Sequence, residues 1–484
     1  MNNNEHPPVV QTPDGRVQGQ HEQGLLAFRG LPYAKLPQRF LPPAPPEPWS
    51  GIRLADRYGP MAVQSADPAA SSSESEDCLT LNIWTPGLEH PLRPVLFYIH
   101  GGGFTGGTGG DDIYAGSSFA RDGDIVVVTA NYRLGVFGFL DVSPWLGEAY
   151  RSSGNNGLLD LIQALRWVQA NIACFGGDPH RVTIMGQSAG AKAVGGLLYA
   201  PAAEGLFQQA IAISGSVQAI RDQATATKLA QSYLDTLALP EQELRHLAEL
   251  PAAALIQAQH AWVRDTSGIH LFGPVIDGRT IVESPLGGLK QRATLPPLLI
   301  GTNQHEAAGF IANDAHMRQP TPELLHRMFG LNAPAVEAAY IRRSGRSLAE
   351  PVDAASWEDV LTDHMYRLGA VRTADAWSQA GAPVWLYRFD RQGPLGKASH
   401  AEEFDFVWNN QHVPAGEEEL ARTLHQAWTS FIHHGAPAAA LPEWPSYQAG
   451  RGQLQVFNHT CRIEALAPFE SPEPPLFPVP VIRL

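Results

Sequence analysis

Cysteine is scarce in this sequence. Its 484 residues include three, Cys78, Cys174 and Cys461. They are far apart and form neither a Cys-x-x-Cys pair nor a Cys/His cluster, which argues against a disulfide framework and against a zinc site. We therefore expect reduced, mostly structural thiols. We also expect a cytoplasmic protein, and its expected chemistry, described below, needs no metal or cofactor.

Basic residues and long apolar runs are also lacking. The chain has 34 Lys and Arg against 48 Asp and Glu, a net charge of −14, and no basic block that would attract nucleic acid. No run approaches the ~18 apolar residues of a membrane span. Residues 1–8 also lack the basic and apolar parts of a secretion signal. Neither nucleic acid nor a membrane is expected as a partner.

What the sequence does contain is an alternation of apolar runs with amphipathic stretches. Continuous apolar runs, typical of parallel strands buried on both faces, occupy residues 95–100 and 125–130, and a β-branched apolar run occupies residues 182–185. Further strands are predicted at residues 209–214, 297–301 and 385–389. Helical spacing separates them, most clearly over residues 158–175, where apolar residues recur every three or four positions. The pattern predicts an α/β fold with a mostly parallel central sheet flanked by helices.

No linker divides the chain, so we predict a single domain over residues 1–484. Residues 320–381 are helix-rich and are predicted to be an insertion over the sheet. Residues 9–28 alternate around a Pro-Asp-Gly turn and predict one small antiparallel hairpin at the periphery. A polar stretch over residues 65–76 predicts a surface loop. A long helix in the insertion is predicted to carry an apolar stripe of Leu361, Met365, Leu368 and Val371.

The strand that ends at Ser188 has a distinctive termination. Gly186 and Gly190 flank the serine in Gly-x-Ser-x-Gly, between a β-branched run and small, helix-tolerant residues. A strand that turns at once into a helix forces the serine into a cramped conformation, and the two glycines supply the clearance. This context predicts a nucleophilic serine at the sheet edge rather than a plain Gly-Ser turn.

A serine nucleophile needs an imidazole to accept its proton and a carboxylate to orient that imidazole. In α/β-hydrolases the order along the chain is Ser, then Asp or Glu, then His. Glu306 follows the predicted strand at 297–301, and His400 follows the one at 385–389, so they are the candidate acid and base. A solvated loop residue is the alternative for each, and Glu402, Glu403 and Asp405 also lie near His400 in sequence.

The loop at residues 100–103, His-Gly-Gly-Gly, follows an earlier predicted strand. Missing side chains let backbone N–H groups approach a substrate oxygen. Gly102 and Gly103 are therefore candidate oxyanion donors. Ala189 is the third candidate, because its backbone N–H follows Ser188 at a predicted helix N-terminus. A phosphate-binding loop is disfavoured because the Gly-Lys-Ser/Thr of that motif is absent.

These residues, with motifs spread along the chain, resemble the type-B carboxylesterase family, which includes the cholinesterases. The motifs are FRGLPYA at 28–34, EDCLTLN at 76–82, HGGGF at 100–104, NYRLG at 131–135, FGGDP at 175–179, GQSAG at 186–190 and WPSY at 444–447. The resemblance implies an α/β-hydrolase fold with helical insertions over the active site. It also implies a Ser188–Glu306–His400 triad, oxyanion donors Gly102, Gly103 and Ala189, and a salt bridge between Arg39 and Glu76.

The sequence departs from the family at three positions. Ala62 replaces the usual cysteine partner of Cys78, which implies an intracellular enzyme of bacterial type. Gln187 replaces a glutamate before the serine, and Lys192 stands where a small residue is usual.

The expected activity is hydrolysis of small-molecule carboxylic esters through an acyl-enzyme, by a monomer or small homo-oligomer. Phe104, Gln187, Phe404 and Trp408 are expected to bind substrate, although core packing is the alternative for the aromatic residues. Two other functions stay open, a lipase for long-chain esters and a catalytically silent binding protein on the same fold.

Overall fold

A computed structural model of the chain describes residues 6–65, 73–114, 117–266, 271–285, 294–319, 321–437, 441 and 444–466. The predicted surface loop at 65–76 lies partly outside them. The strands are β1 Val9–Thr12, β2 Gly15–Gln18, β3 Gln20–Glu22, β4 Leu25–Pro32, β5 Ile52–Leu54, β6 Thr80–Thr85, β7 Arg93–Ile99, β8 Val126–Ala130, β9 Gly177–Gln187, β10 Gln209–Ile213, β11 Arg221–Asp222, β12 Val275–Ile276, β13 Leu298–Asn303, β14 Val384–Phe389, β15 Gln453–Phe457 and β16 Arg462–Ala465.

The α-helices are α1 Ser117–Gly123, α2 Gly135–Phe139, α3 Ser143–Leu146, α4 Asn156–Asn171, α5 Ala189–Leu198, α6 Gln223–Leu237, α7 Ala252–Thr266, α8 Ala308–Asn313, α9 Pro322–Phe329, α10 Ala333–Ser344, α11 Ala354–Thr362, α12 Leu368–Gln379, α13 Phe404–Trp408 and α14 Glu418–His434. Within the described residues, every helix is too short or too polar to span a bilayer.

One large sheet organises the molecule. Its eleven described strands run in the order β16-β15-β14-β13-β10-β9-β7-β8-β6-β4-β3. Pairing is parallel from β15 through to β8 and antiparallel at both ends, where β16 pairs with β15 and β6 with β8. The predicted α/β fold with a mostly parallel sheet is confirmed.

The central strands are apolar throughout because both faces of the sheet are covered. Along β7, Phe97 faces a core that α4, α5 and α12 help to build, while Leu96 and Tyr98 face a core with α1, α13 and α14. Both cores exclude water from the strands. The sheet lies between the two cores, and the loops after the carboxyl ends of β7, β9, β13 and β14 carry the candidate site residues.

The prediction of one hairpin over residues 9–28 is wrong in extent. β1 and β2 form a hairpin in a small sheet with β5, whereas β3 and β4 form a second hairpin at the edge of the large sheet. The chain passes between the sheets at Gly19, where a Cβ atom would lie 2.5 Å from the Ala27 carbonyl oxygen. Gln23 and Gly24 both have positive φ and close the second hairpin tightly.

The helix-rich segment at 320–381 contains α9 to α12, and α9 to α11 share a separate apolar cluster. The predicted long helix is interrupted by a π-helical turn, Asp363–Arg367, between α11 and α12. A π turn adds residues to one turn and shifts the faces that follow. Leu361 and Met365 accordingly pack within the insertion, whereas Val371 packs against the sheet. The assignment of the whole chain to one domain stays a prediction.

Candidate active site

Ser188 lies at a sharp junction between β9 and α5. Its φ of 54° and ψ of −120° are unusual for a residue with a side chain. A Cβ atom on Gly186 would lie 2.3 Å from the Gly190 carbonyl carbon, and one on Gly190 would lie 2.0 Å from the Ile99 carbonyl oxygen. The two glycines are therefore sterically required, and the junction holds the Ser188 hydroxyl at the sheet edge.

The three predicted triad residues lie in hydrogen-bonding contact. His400 Nε2 is 2.9 Å from Ser188 Oγ, and His400 Nδ1 is 2.6 Å from Glu306 Oε2. Glu306 follows β13, and His400 lies between β14 and α13, so neighbouring strand ends bring together residues ninety-four positions apart. The Glu306 side chain is fully buried, and its other oxygen accepts the backbone N–H of Asn303 at 2.8 Å.

Glu403 is a second buried carboxyl group next to the first. One of its oxygens accepts a hydrogen bond from the Asn303 side-chain amide, and the other accepts one from Ser214 Oγ at 3.3 Å. Burial, reinforced by the nearby Glu306 carboxylate, raises the pKa of Glu403 well above the ordinary carboxyl value. Among the described residues, the hydrogen bonds of the Glu403 carboxyl group go to Asn303 and Ser214 and not to the His400 ring, so Glu403 supports the loop that carries Glu306 instead of orienting the imidazole.

The glycine loop after β7 faces the serine. Gly102 and Gly103 have φ values of 105° and 65°, and a Cβ atom on Gly102 would lie 2.1 Å from the Gly106 carbonyl oxygen. No acceptor within the described residues takes the backbone N–H of Gly102, Gly103 or Ala189. These N–H groups are available for an oxygen atom brought in by a substrate.

His100 supports this loop from below. Its Nδ1 lies 2.9 Å from the Gly101 carbonyl oxygen, and its ring stacks on Tyr132 with centroids 4.5 Å apart. Burial lowers the pKa of His100 to about 4, so the ring is neutral in the ordinary pH range.

The Ser188 hydroxyl and His400 border a cavity of about 640 Å³. Its walls come from the glycine loop, α5, α7, α8 and the π turn. The lining residues are Gly102, Gly103, Thr105, Gln187, Ser188, Lys192, Val263, Arg264, Phe310, Asp314, His316, Tyr366 and His400. Gln187, predicted to bind substrate, is among them, and its Nε2 is 3.4 Å from His400 Nε2.

The other three predicted substrate-binding residues do not border this cavity. Phe104 is buried against Phe139, with ring centroids 4.6 Å apart. Phe404 and Trp408 lie on α13 and belong to the core that Leu96 and Tyr98 face. The Trp408 ring packs edge-on against the Tyr98 ring, with centroids 5.0 Å apart. The prediction is corrected to core packing for these three. Their proximity in sequence to catalytic loops says nothing about which way each ring points.

Sequence reasoning missed Phe310 and Tyr366. The Tyr366 ring lies 4.7 Å from the His400 ring, and the Phe310 ring lies 5.1 Å from it. Tyr366 is on the π turn, directly after Met365 of the predicted apolar stripe. A regular helix would point it elsewhere, and no sequence signal for the π turn was available. Phe310 lies on α8, four residues after Glu306, and this nearness in sequence to the candidate acid could have indicated it.

A family model described as the carboxylesterase family matches residues 6–466. The chain belongs to the carboxylesterase family. This family member is 36% identical over 483 residues to the para-nitrobenzyl esterase of Bacillus subtilis, a match that covers 94% of this chain and 96% of that protein. It is 32% identical to the phenmedipham hydrolase of Pseudarthrobacter oxydans, covering 91% and 93% of the two chains.

Solved carboxylesterase structures have the same fold. The carboxylesterase EST55 of Geobacillus stearothermophilus is 40% identical, with a TM-score of 0.83 over 94% of this chain and 97% of that chain. A structure titled PNB esterase is 36% identical, with a TM-score of 0.84 over 95% and 97%. The α/β-hydrolase fold and the type-B carboxylesterase resemblance are confirmed. The protein is a serine hydrolase that cleaves carboxylic esters.

Proposed function

We propose that Ser188, His400 and Glu306 carry out ester hydrolysis in this carboxylesterase. The observation that supports this most directly is the continuous contact from Ser188 Oγ through the imidazole to Glu306, at the wall of the cavity. Ser188 Oγ attacks the ester carbonyl carbon while His400 Nε2 accepts its proton. Glu306 holds the Nδ1–H and stabilises the imidazolium that forms.

The negative charge that develops on the carbonyl oxygen meets the N–H groups of Gly102, Gly103 and Ala189. Ala189 is the first residue of α5, so the positive end of the helix dipole adds to this stabilisation. Collapse of the tetrahedral intermediate breaks the bond to the alcohol, which leaves with the proton from His400. Water, activated by the same imidazole, then hydrolyses the acyl-enzyme and restores Ser188.

The proposed substrates are small carboxylic esters of the kind that general carboxylesterases take. A cavity of about 640 Å³ is within the range of small-molecule sites. A relative is named for a para-nitrobenzyl ester, which makes such esters natural first substrates to test. A cytoplasmic location in a bacterium is also proposed, in keeping with three free cysteines and the bacterial relatives.

The test of the nucleophile is Ser188→Ala, with Ser143→Ala outside the cavity as the matched control. A fluorescent phosphonate should label the parent and the control but not Ser188→Ala, whose turnover should fall by about 10⁶-fold, with the oxyanion donors keeping a residual rate above the uncatalysed one. Circular dichroism verifies that both variants fold. Labelling of folded Ser188→Ala, or turnover above about 1% of the parent, would show that another residue is the nucleophile.

A chain-length series separates a carboxylesterase from a lipase. We expect kcat/KM on 4-nitrophenyl esters to peak at short acyl chains, because a cavity of about 640 Å³ has room for only a small acyl group. A maximum at the palmitate ester, or a jump in rate when the substrate forms an emulsion, would favour the lipase instead.

A further inference from the structure

Tyr366 places a hydroxyl group in the wall of the ester cavity. The residue is 1% exposed, and its ring lies 4.7 Å from the His400 ring. The Phe310 ring stacks on the Tyr366 ring with an angle of 10° between the planes, and Lys192 Nζ is 5.2 Å from the ring centre. These contacts hold the tyrosine ring in one orientation next to the imidazole.

The Tyr366 hydroxyl is open to the cavity. Among the described residues, its one hydrogen-bonding neighbour is the Ser188 hydroxyl, and this contact is too loose to be a hydrogen bond of normal length and angle. The hydroxyls of Tyr98 and Tyr387 are closed off from solvent without a partner, whereas that of Tyr366 is not among such atoms. Because Tyr366 borders the cavity, its hydroxyl reaches solvent there, beside Ser188.

This hydroxyl stays protonated in the ordinary pH range. Burial raises the pKa of Tyr366 well above its usual value, and the Glu306 carboxylate adds to the effect, while the Ser188 side chain acts to lower it. A protonated phenol is a hydrogen-bond donor. Tyr366 can therefore donate a hydrogen bond to a substrate oxygen and keep its own proton.

The position of the hydroxyl decides which substrate oxygen it meets. His400 Nε2 accepts the Ser188 proton and later gives it to the leaving alcohol, so the leaving oxygen has to lie next to Nε2. The Tyr366 ring lies against the imidazole and its hydroxyl lies beside Ser188, which places the hydroxyl on the imidazole side of the serine. The oxyanion donors belong instead to the glycine loop and to the start of α5. The hydroxyl is therefore next to the leaving oxygen, and the carbonyl oxygen has its own donors.

We propose that the Tyr366 hydroxyl donates a hydrogen bond to the oxygen of the leaving alcohol and, in the second step, to the oxygen of the attacking water. The inference rests on the proposed function, since it requires the acyl group on Ser188. In the first step the bond from the carbonyl carbon to the alcohol oxygen breaks, its electron pair stays on that oxygen, and the oxygen takes the proton of His400 Nε2. Tyr366 stabilises the negative charge while it forms. In the second step a water oxygen bonds to the carbonyl carbon and gives a proton to His400, and the same hydroxyl holds that oxygen in place.

The experiment compares Tyr366→Phe with the parent on ethyl acetate, phenyl acetate and 4-nitrophenyl acetate. The three esters form the same acetyl-enzyme and differ in how basic the leaving oxygen is. kcat/KM, measured by pH-stat, reports acylation. For ethyl acetate we expect it to fall about tenfold to a hundredfold, the effect of losing a hydrogen bond to a charged group. For 4-nitrophenyl acetate it should change less than about twofold, because the nitrophenyl ring shares the negative charge and the oxygen gains little from a donor.

Tyr340→Phe is the matched control. Tyr340 belongs to the same apolar cluster as Tyr366, and its hydroxyl accepts the backbone N–H of Asp353 at 2.9 Å. It does not border the ester cavity. The variant removes the same atom from the same cluster, so its dependence on the leaving group should equal that of the parent. Circular dichroism verifies that both variants fold.

The second step gives an independent readout. Loss of the donor slows the attack of water on the acetyl-enzyme, whichever alcohol has left. With 4-nitrophenyl acetate, kcat should therefore fall about tenfold in Tyr366→Phe while kcat/KM stays, so KM falls in step. A stopped-flow burst of 4-nitrophenol equal to the enzyme concentration should accompany this change. General damage to the site would instead lower kcat/KM for all three esters alike.

Each other outcome has a definite meaning. An equal loss of kcat/KM on the three esters in folded Tyr366→Phe, or no loss on any, would overturn the inference and leave the ester hydrolase intact. The same would follow if the leaving-group dependence changed in Gln187→Met, whose parent amide Nε2 is 3.4 Å from His400 Nε2, and not in Tyr366→Phe. Failure of the parent to cleave all three esters would count against the proposed function itself.

Discussion

At the scale of single residues, the site holds two neighbouring buried carboxyl groups, those of Glu306 and Glu403. Only Glu306 contacts the imidazole of His400. Glu306 accepts from His400 Nδ1, whereas Glu403 accepts from Asn303 and Ser214. Glu306→Gln keeps the shape and loses the charge that stabilises the imidazolium. We expect kcat to fall by up to ~10⁴, as for the equivalent amide substitution in a serine-protease triad.

Glu403→Gln is the matched control. It makes the same chemical change at a carboxyl group that is hydrogen-bonded to Asn303 and Ser214 instead of to the imidazole. The loss of kcat should be about tenfold at most, as is usual for a supporting contact. Steady-state kinetics on both purified variants decides the assignment. If Glu403→Gln proves the more damaging, the acid is Glu403.

The raised pKa of Glu403 also predicts how stability depends on pH. The folded protein keeps the proton on the Glu403 carboxyl group to a higher pH than the unfolded chain does. Between the pKa of Glu403 in the unfolded chain and its raised pKa in the folded protein, the unfolded chain therefore binds fewer protons. The Glu403 contribution to the free energy of unfolding therefore decreases as the pH rises above the ordinary carboxyl pKa. Thermal unfolding from about pH 5 to about pH 8 should show the parent losing more stability than Glu403→Gln, which has no proton to release. Parallel curves for the two proteins would contradict this.

At the scale of elements, the β9–α5 junction depends on close backbone contact with β7. A methyl group on Gly190 would lie 2.0 Å from the Ile99 carbonyl oxygen, just before the loop that carries Gly102 and Gly103. Gly190→Ala should therefore push the oxyanion donors away from Ser188. We expect kcat to fall about a hundredfold, the scale of an ångström displacement at a reacting centre.

Gly309→Ala provides the control for this change. Gly309 is on α8, where the nearest atom to an added Cβ is Ser399 Cβ at 3.9 Å. Turnover should remain close to the parent value, and stability should be equal or slightly higher because alanine favours a helix. Parent-like kcat in folded Gly190→Ala would show that the loop tolerates the displacement.

At the scale of the whole molecule, a buried ion pair joins separate parts of the chain. The Arg133 guanidinium donates to Asp160 on α4 at 2.7 and 2.8 Å and to the Leu41 carbonyl oxygen at 2.8 Å. Asp160→Asn would leave the Arg133 charge buried and uncompensated. We expect a loss of about 3–5 kcal/mol in the free energy of unfolding, measured in urea. Asp122→Asn, in an exposed pair with Arg121, should cost less than about 1 kcal/mol.

A second ion pair shows how far a family resemblance extends. Arg39 Nε and Nη2 donate to the two oxygens of Glu76 at 2.8 and 2.5 Å, so the salt bridge that the resemblance implied is confirmed. Cys78, for which Ala62 supplies no partner, is a buried free thiol. A contact known in a family can be predicted in this chain because the motifs that carry it stand in the same order along the same fold.

The sequence by itself determined the features that depend on local backbone geometry and strand order. Gly-x-Ser-x-Gly predicts the strained junction because only glycine has the required clearance on either side of Ser188. Apolar runs predict strands covered on both faces, and loops after successive parallel strands predict that Glu306 and His400 reach the same edge of the sheet. The structure brings these side chains together, while their catalytic roles stay predictions.

Only the tertiary structure decided which side chains border the cavity. Phe104, Phe404 and Trp408 pack in the core, whereas Tyr366 reaches His400 from a π turn that no periodicity in the sequence reveals. Aromatic residues favour burial in either place, so composition cannot distinguish a core ring from a cavity ring. Side-chain direction depends on how distant helices pack over the sheet, and that packing is a property of the whole chain.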